Sequence, residues 1–158
     1  MPLAGAHSRH NDRLTSLANQ LLDASPGSLP ERLVALARAR FPLAMAVYVF
    51  GSQVQGQADA RSDLDLAVLV AGYADPLALW DASGELADIA GCPVDLLDLR
   101  AASTVMQYQV ITTGRRLWSV GLPVGLFECV VLSERTALDE ARAPLLADIA
   151  ATGRIYAR

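Results

Sequence analysis

A chain of 158 residues is long enough for one domain with a sizeable core. Its 53 % hydrophobic and 19 % charged composition excludes a disordered chain, and its net charge of −4 argues against a broad footprint on DNA or RNA. A small nucleotide stays open, because metal ions supply positive charge locally.

Residues 1–10 are expected as a mobile tail, followed by a single domain over 11–158. A first helix is expected over 11–24, with Leu14, Leu17, Leu21 and Leu22 on one stripe, broken by Ser25-Pro26-Gly27-Ser28. A second runs from Pro30 to Arg40, with Leu33, Leu36 and Ala37 facing inward. MAVYVF (45–50) is short, β-branched and aromatic, and reads as a buried strand leading straight into Gly51-Ser52. A polar stretch over 53–62 separates it from a second strand, DLDLAVLV (63–70).

Asp75-Pro76 is a helix start, with Asp at the N-cap and Pro at the first helical position; the helix over 77–90 stops at Gly91. A third strand is expected over 92–99. Ser103 caps a helix over 104–113 that ends at Gly114, and Arg115 to Trp118 form a short strand. Gly121 to Gly125 is expected as a loop. The remainder, to about Thr152, is mainly helical, with Leu138, Ala141, Leu145 and Ile149 on one side and Pro144 kinking or splitting it. This order predicts an α/β (α+β) domain with a small mixed sheet, a core over about 30–118 and a C-terminal helical region over about 122–152.

Cys92 and Cys129 match neither a zinc motif nor a disulfide framework and are expected as buried thiols. The opening MPLAGAHSRHNDR has no apolar signal core, and no run of about 18 apolar residues occurs, so a cytoplasmic chain without a membrane span is expected. Tyr48 and Trp80 read as core aromatics. The only histidines, His7 and His10, lie in the expected tail, which argues against a Ser-His-Asp triad or a histidine metal site.

The chemistry concentrates between residues 51 and 99. Alternate side chains of a strand share a face, so Asp63 and Asp65 point the same way with α-carbons roughly 6–7 Å apart, while Leu64, Leu66 and Val68 enter the core. Two carboxylates on one face repel unless a cation lies between them. Mg²⁺ suits them, since it prefers hard oxygen ligands and binds through one or two carboxylates plus substrate phosphates. A second ion needs a further ligand. Asp95 is favoured over Asp98, because the two lie on opposite faces of the third strand and Asp95 meets the same cleft if that strand pairs beside the second. Gly51 lets the backbone approach a ligand closely, and the residues after it can open a short helix with phosphate-binding N–H groups, to which the Ser52 hydroxyl adds. Arg61 is the only basic residue inside the loop and can meet a phosphate or a partner. Singly, each of these has an ordinary explanation as a turn, a strand edge or a surface charge; their ordered combination is far more specific.

That combination, VFGSQVQGQADARSDLDLAVLV (49–70) joined by PVDLLDL (93–99), resembles the minimal nucleotidyltransferases of the DNA polymerase β superfamily, whose GSx₁₀DxD pattern it meets without a gap. The resemblance implies a polymerase β-like nucleotidyltransferase fold, a triphosphate held at Gly51 and Ser52, and two Mg²⁺ ions held by Asp63, Asp65 and Asp95 as catalytic carboxylates. Segments 98–118 and 138–157 are more loosely similar to MntA-type antitoxins, which are partnered with HepT, a helical HEPN-domain ribonuclease toxin. Similarity to that family implies transfer of AMP from ATP to a tyrosine hydroxyl of the toxin. The chain departs from the pattern at Gln53 and Gln55, where members often carry arginine. Two other readings share the motif or the partner: a small-molecule (antibiotic) nucleotidyltransferase, which usually carries a dedicated substrate domain, and a non-catalytic antitoxin that acts by binding.

Overall fold

The computed structural model describes residues 17–59 and 61–153. Its elements are α1 (the helical stretch 17–22), α2 (Leu29–Arg40), β1 (Ala44–Phe50), α3 (Ser52–Gln55), β2 (Leu64–Val70), α4 (Pro76–Ala90), β3 (Val94–Asp98), α5 (Thr104–Thr113), β4 (Arg115–Ser119) and α6 (Leu122–Thr152). The four strands form one mixed sheet in the order β3-β2-β1-β4. β1 runs antiparallel to both β2 and β4, whereas β2 and β3 are parallel and need a crossover, which α4 provides.

The sheet separates two apolar layers. On one face Val49, Leu64, Leu66, Val68 and Leu96 pack with Leu33, Ala82 and Leu86 of α2 and α4. On the other, Ala46, Tyr48, Phe50, Ala67 and Leu69 pack with Val110 of α5 and Val124 of α6. β2 is therefore covered on both sides, which is why 66–70 reads as an unbroken apolar run. Burial of both faces also fixes the strand's register, and with it the direction of every side chain along it.

Local chemistry sets the helix ends. Asp75 Oδ2 accepts a hydrogen bond from Ala78 N at 3.2 Å, and α4 closes on Gly91 in the left-handed conformation at φ +71°. Ser103 Oγ likewise accepts from Met106 N at the start of α5.

Several expectations are corrected. The stretch 121–125 is not a loop: α6 starts at Leu122, with a proline in its first turn, where a missing N–H costs nothing. Pro144 does not split the helix, which continues to Thr152. Trp80 is not a core residue but 80 % exposed, because α4 turns Leu79, Ala82 and Leu86 to the sheet instead. Leu22 is exposed rather than part of the buried stripe of Leu17 and Leu21. Cys92 is half-buried and Cys129 exposed, so the two are not buried thiols. The expected tail at 1–10, both histidines and Leu14 fall outside the described residues. Among the described residues no helix is long and apolar enough to cross a membrane.

Candidate active site

The end of β1 and the beginning of β2 are hydrogen-bonded neighbours, with Phe50 opposite Asp65. Gly51 follows directly, at φ +76° and ψ −157°, a region essentially closed to other residues. A β-carbon there would overlap Asp65 Oδ2 and lie 3.0 Å from Asp65 Cγ. Glycine at this position serves two ends at once: it permits the turn, and it lets the backbone lie against the Asp65 carboxylate. α3 then begins, with Val54 N and Gln55 N both donating to Gly51 O at 3.2 Å. The amides of Ser52 and Gln53 precede this first bonded turn, as at any helix N-terminus. Gly56 closes α3 in the left-handed conformation and donates its N–H to Ser52 O.

The loop back to β2 is built around Asp59. Its Oδ1 accepts from Arg61 N at 2.8 Å, while Asp59 N donates to Ser62 Oγ at 2.8 Å. The hydrogen bond from the Arg61 backbone is the main reason the Asp59 carboxyl titrates below the usual range. Arg61 itself is exposed, so its guanidinium is accessible from solvent.

Three carboxylates converge beyond this loop. Asp63 precedes β2 and is exposed; Asp65 is half-buried on the face that carries Ala67 and Leu69; Asp95 is exposed on β3 and directly paired with Asp65. Burial, then the negative charges of Asp95 and Asp63, raise the Asp65 pKa above the ordinary carboxylate value. Asp98 lies apart. It pairs with Val68, is buried, and spends both oxygens on the backbone, accepting from Ala74 N at 2.8 Å and Arg100 N at 2.9 Å. The fold thus gathers Gly51, Ser52, Asp63, Asp65 and Asp95 at one end of the sheet and turns Asp98 into a brace for two loops.

Among the described residues no group of three or more His, Cys, Asp or Glu is placed to hold a metal ion by itself. Mg²⁺ does not require one, since substrate phosphates and water complete its octahedron. The donor set is all hard oxygen, lies on one side of the sheet and repels itself, which fits a divalent cation. With substrate phosphates and water completing its shell, Mg²⁺ would be held by Asp63, Asp65 and Asp95.

The family model described as polymerase beta, nucleotidyltransferase, matches residues 33–120. The protein adenylyltransferase MntA of Shewanella oneidensis is 37 % identical over 120 residues, covering 76 % of this chain and 86 % of its own length. The chain belongs to the MntA-type nucleotidyltransferase antitoxins. A crystal structure of a toxin–antitoxin with AMP-PNP is 36 % identical, with a TM-score of 0.69 over 76 % of this chain and 97 % of that one. The MNT antitoxin in complex with the tri-AMPylated Shewanella oneidensis HEPN toxin is 34 % identical, with a TM-score of 0.64 over 77 % and 95 %.

Within this MntA-type frame two residues escaped the sequence reading. Gln53, a departure from arginine in the sequence, has a buried side chain, whereas Gln55 is exposed. Gly114 ends α5, as its place in the sequence predicts. Its φ is an ordinary −83°; what demands glycine is space, since a β-carbon would overlap Val110 O and lie 2.9 Å from Val49 O, where α5 presses on the end of β1. Neither has a sequence signal short of knowing the packing. A concavity of about 630 Å³ between α1, α2 and β4 is lined by Pro30, Arg38, Arg115 and Trp118 and contains none of the three carboxylates. A concavity without the carboxylates does not count against them, because a site for metal-bound phosphates works open to solvent.

Proposed function

We propose that this chain is a Mg²⁺-dependent protein adenylyltransferase that transfers AMP from ATP to a tyrosine hydroxyl of a cognate HEPN (HepT-like) toxin and thereby neutralises it. The observation that carries the reading is the Gly51 backbone lying against the Asp65 carboxylate, with Asp95 in register beside it. This closeness supports a site in which phosphate and metal meet.

The triphosphate lies along Gly51 and Ser52, with backbone N–H groups and the Ser52 hydroxyl as donors. Asp63, Asp65 and Asp95 hold two Mg²⁺ ions, and Arg61 reaches a phosphate or the toxin. When bound, the metal supplies Lewis acidity, lowering the hydroxyl pKa and offsetting charge on the phosphates. The tyrosine oxygen bonds to the α-phosphorus, the bond to the bridging oxygen breaks, and pyrophosphate leaves. Asp95, the more exposed partner of Asp65, takes the hydroxyl proton. The AMP carried by the toxin in the related complex supports a protein acceptor over a small antibiotic.

The test is to purify the chain with its toxin, add ATP and Mg²⁺, and follow AMP addition by intact mass. Asp63→Ala and Asp65→Ala should abolish it. Full labelling by both variants would sink the scheme. Neutralisation of the toxin by an unlabelling variant would establish a binding-only antitoxin.

A further inference from the structure

Gln53 follows Ser52 on α3, yet its side chain turns inward and is only 3 % exposed. Its Nε2 donates to Ser62 O across a long 3.5 Å, and its Oε1 is buried without a hydrogen-bond partner. Buried polar groups are nearly always paired, and an unpaired one costs stability. A methionine would fill the same space without that cost, so the amide is not there to stabilise the core. What it does is span the site. One end is anchored next to Ser52 on the phosphate turn; the other holds the carbonyl of Ser62, the residue immediately before Asp63. Ser62 is fixed from its other side by Asp59, to whose carbonyl it donates its N–H at 3.2 Å and from whose N–H its Oγ accepts.

We propose that Gln53 is a positioning residue: its buried amide ties the Gly51-Ser52 turn to Ser62 and so sets the distance between the phosphate turn and the Asp63 carboxylate. The inference rests on the nucleotidyl-transfer reading above. Gln53 is assigned no direct contact with substrate or metal. It acts through Ser62, and its long bond makes the spacing easy to disturb. At this position a larger charged side chain would have to leave the interior, which would release the tie.

The decisive variant is Gln53→Met, which keeps volume and burial and removes both polar ends. Binding of Mn²⁺ in the presence of a non-hydrolysable ATP analogue is measured by calorimetry on the full chain, beside the thermal midpoint. Loss of one hydrogen bond predicts about three- to tenfold weaker metal binding, with the melting temperature unchanged or raised. In the transfer assay the same change appears as a higher Mg²⁺–ATP requirement with kcat less affected. Gln53→Glu, which sets a carboxylate against the Ser62 carbonyl, should weaken binding further. Wild-type binding by both variants overturns the proposal. So does a fall in melting temperature that parallels the loss of binding in Gln53→Met, which would make Gln53 an ordinary core residue. If the wild-type chain itself binds no metal–nucleotide, the functional reading fails, and the positioning role with it.

Discussion

Replacing Gly51 by alanine separates the two demands on that residue. Its φ of +76° with ψ of −157° places a non-glycine residue in a region that costs about 1–3 kcal/mol. The new methyl group would also overlap Asp65 Oδ2 and stand 3.0 Å from Cγ and 3.4 Å from Cβ. The carboxylate is the far end of a short side chain, so it can swing away by about 1 Å at little further cost to stability. For chemistry that depends on placed groups, a shift of that size lowers rates on the order of a hundredfold. Gly51→Ala should thus unfold about 1–3 kcal/mol more easily in urea and lose AMP transfer by about two orders of magnitude. Gly84→Ala is the control: its β-carbon would meet nothing, and it lies in the interior of α4, so the change should stabilise by about 0.5–1 kcal/mol with transfer intact. Gly51→Ala with wild-type stability and full transfer would refute the proposed contact between turn and carboxylate.

Asp95 and Asp98 should separate function from structure. Asp95→Ala should abolish transfer with little change in melting temperature, while Asp98→Ala, which removes a buried carboxylate from the part-buried amides of Ala74 and Arg100, should cost about 2 kcal/mol, read by urea denaturation. The Asp65 pKa is raised in the ion-free chain by burial, then by Asp95 and Asp63, so its contribution to stability is present at acid pH and lost as pH rises through the folded value. Asp65→Asn should therefore raise the melting temperature at neutral pH without metal while ending transfer. Burial, then the hydrogen bond to Glu128, push the Tyr48 hydroxyl above the ordinary tyrosine value, so its share of stability persists below pH of about 10 and is lost above it. Spectrophotometric titration should find one tyrosine that ionises only as the fold is lost, and Tyr48→Phe should remove it at a cost of about 1 kcal/mol.

The centre of the site was legible because its information is local. Strand parity placed Asp63 and Asp65 on one face, and the parallel pairing of β2 with β3 set Asp95 beside them and Asp98 behind. The helix caps at Asp75 and Ser103 were legible for the same reason, since each involves only a few consecutive residues. What escaped depends on partners distant in sequence. α4 is apolar around much of its circumference, so its composition does not say that Leu79 and Leu86 meet the sheet while Trp80 meets water. Likewise, nothing in the order of residues tells that Gln53 points inward or that α5 needs the bare backbone of Gly114. Gly121 and Gly125 read as loop residues because they bracket a proline; yet that proline sits where a helix begins, and Val124 is pulled into the core beside it.

The pairing of Phe50 with Asp65 has a consequence for how the chain guards its activity. The ten residues between the Gly-Ser and the first aspartate close a single hairpin, and the entropy of such closure changes only slowly with length. Insertions near residues 56–58 are therefore inexpensive to the fold. A slip of one residue between β1 and β2 is not. It would rotate Asp65 into the layer of Leu33, Leu86 and Val49, and bring Leu64 and Leu66 out onto the face that now carries the carboxylate. Burying a carboxylate among leucines carries a large desolvation cost. The hydrophobic core thus proofreads the catalytic geometry: a misaligned hairpin cannot persist as a folded but inactive protein, because the error that disarms the site also unseats the core.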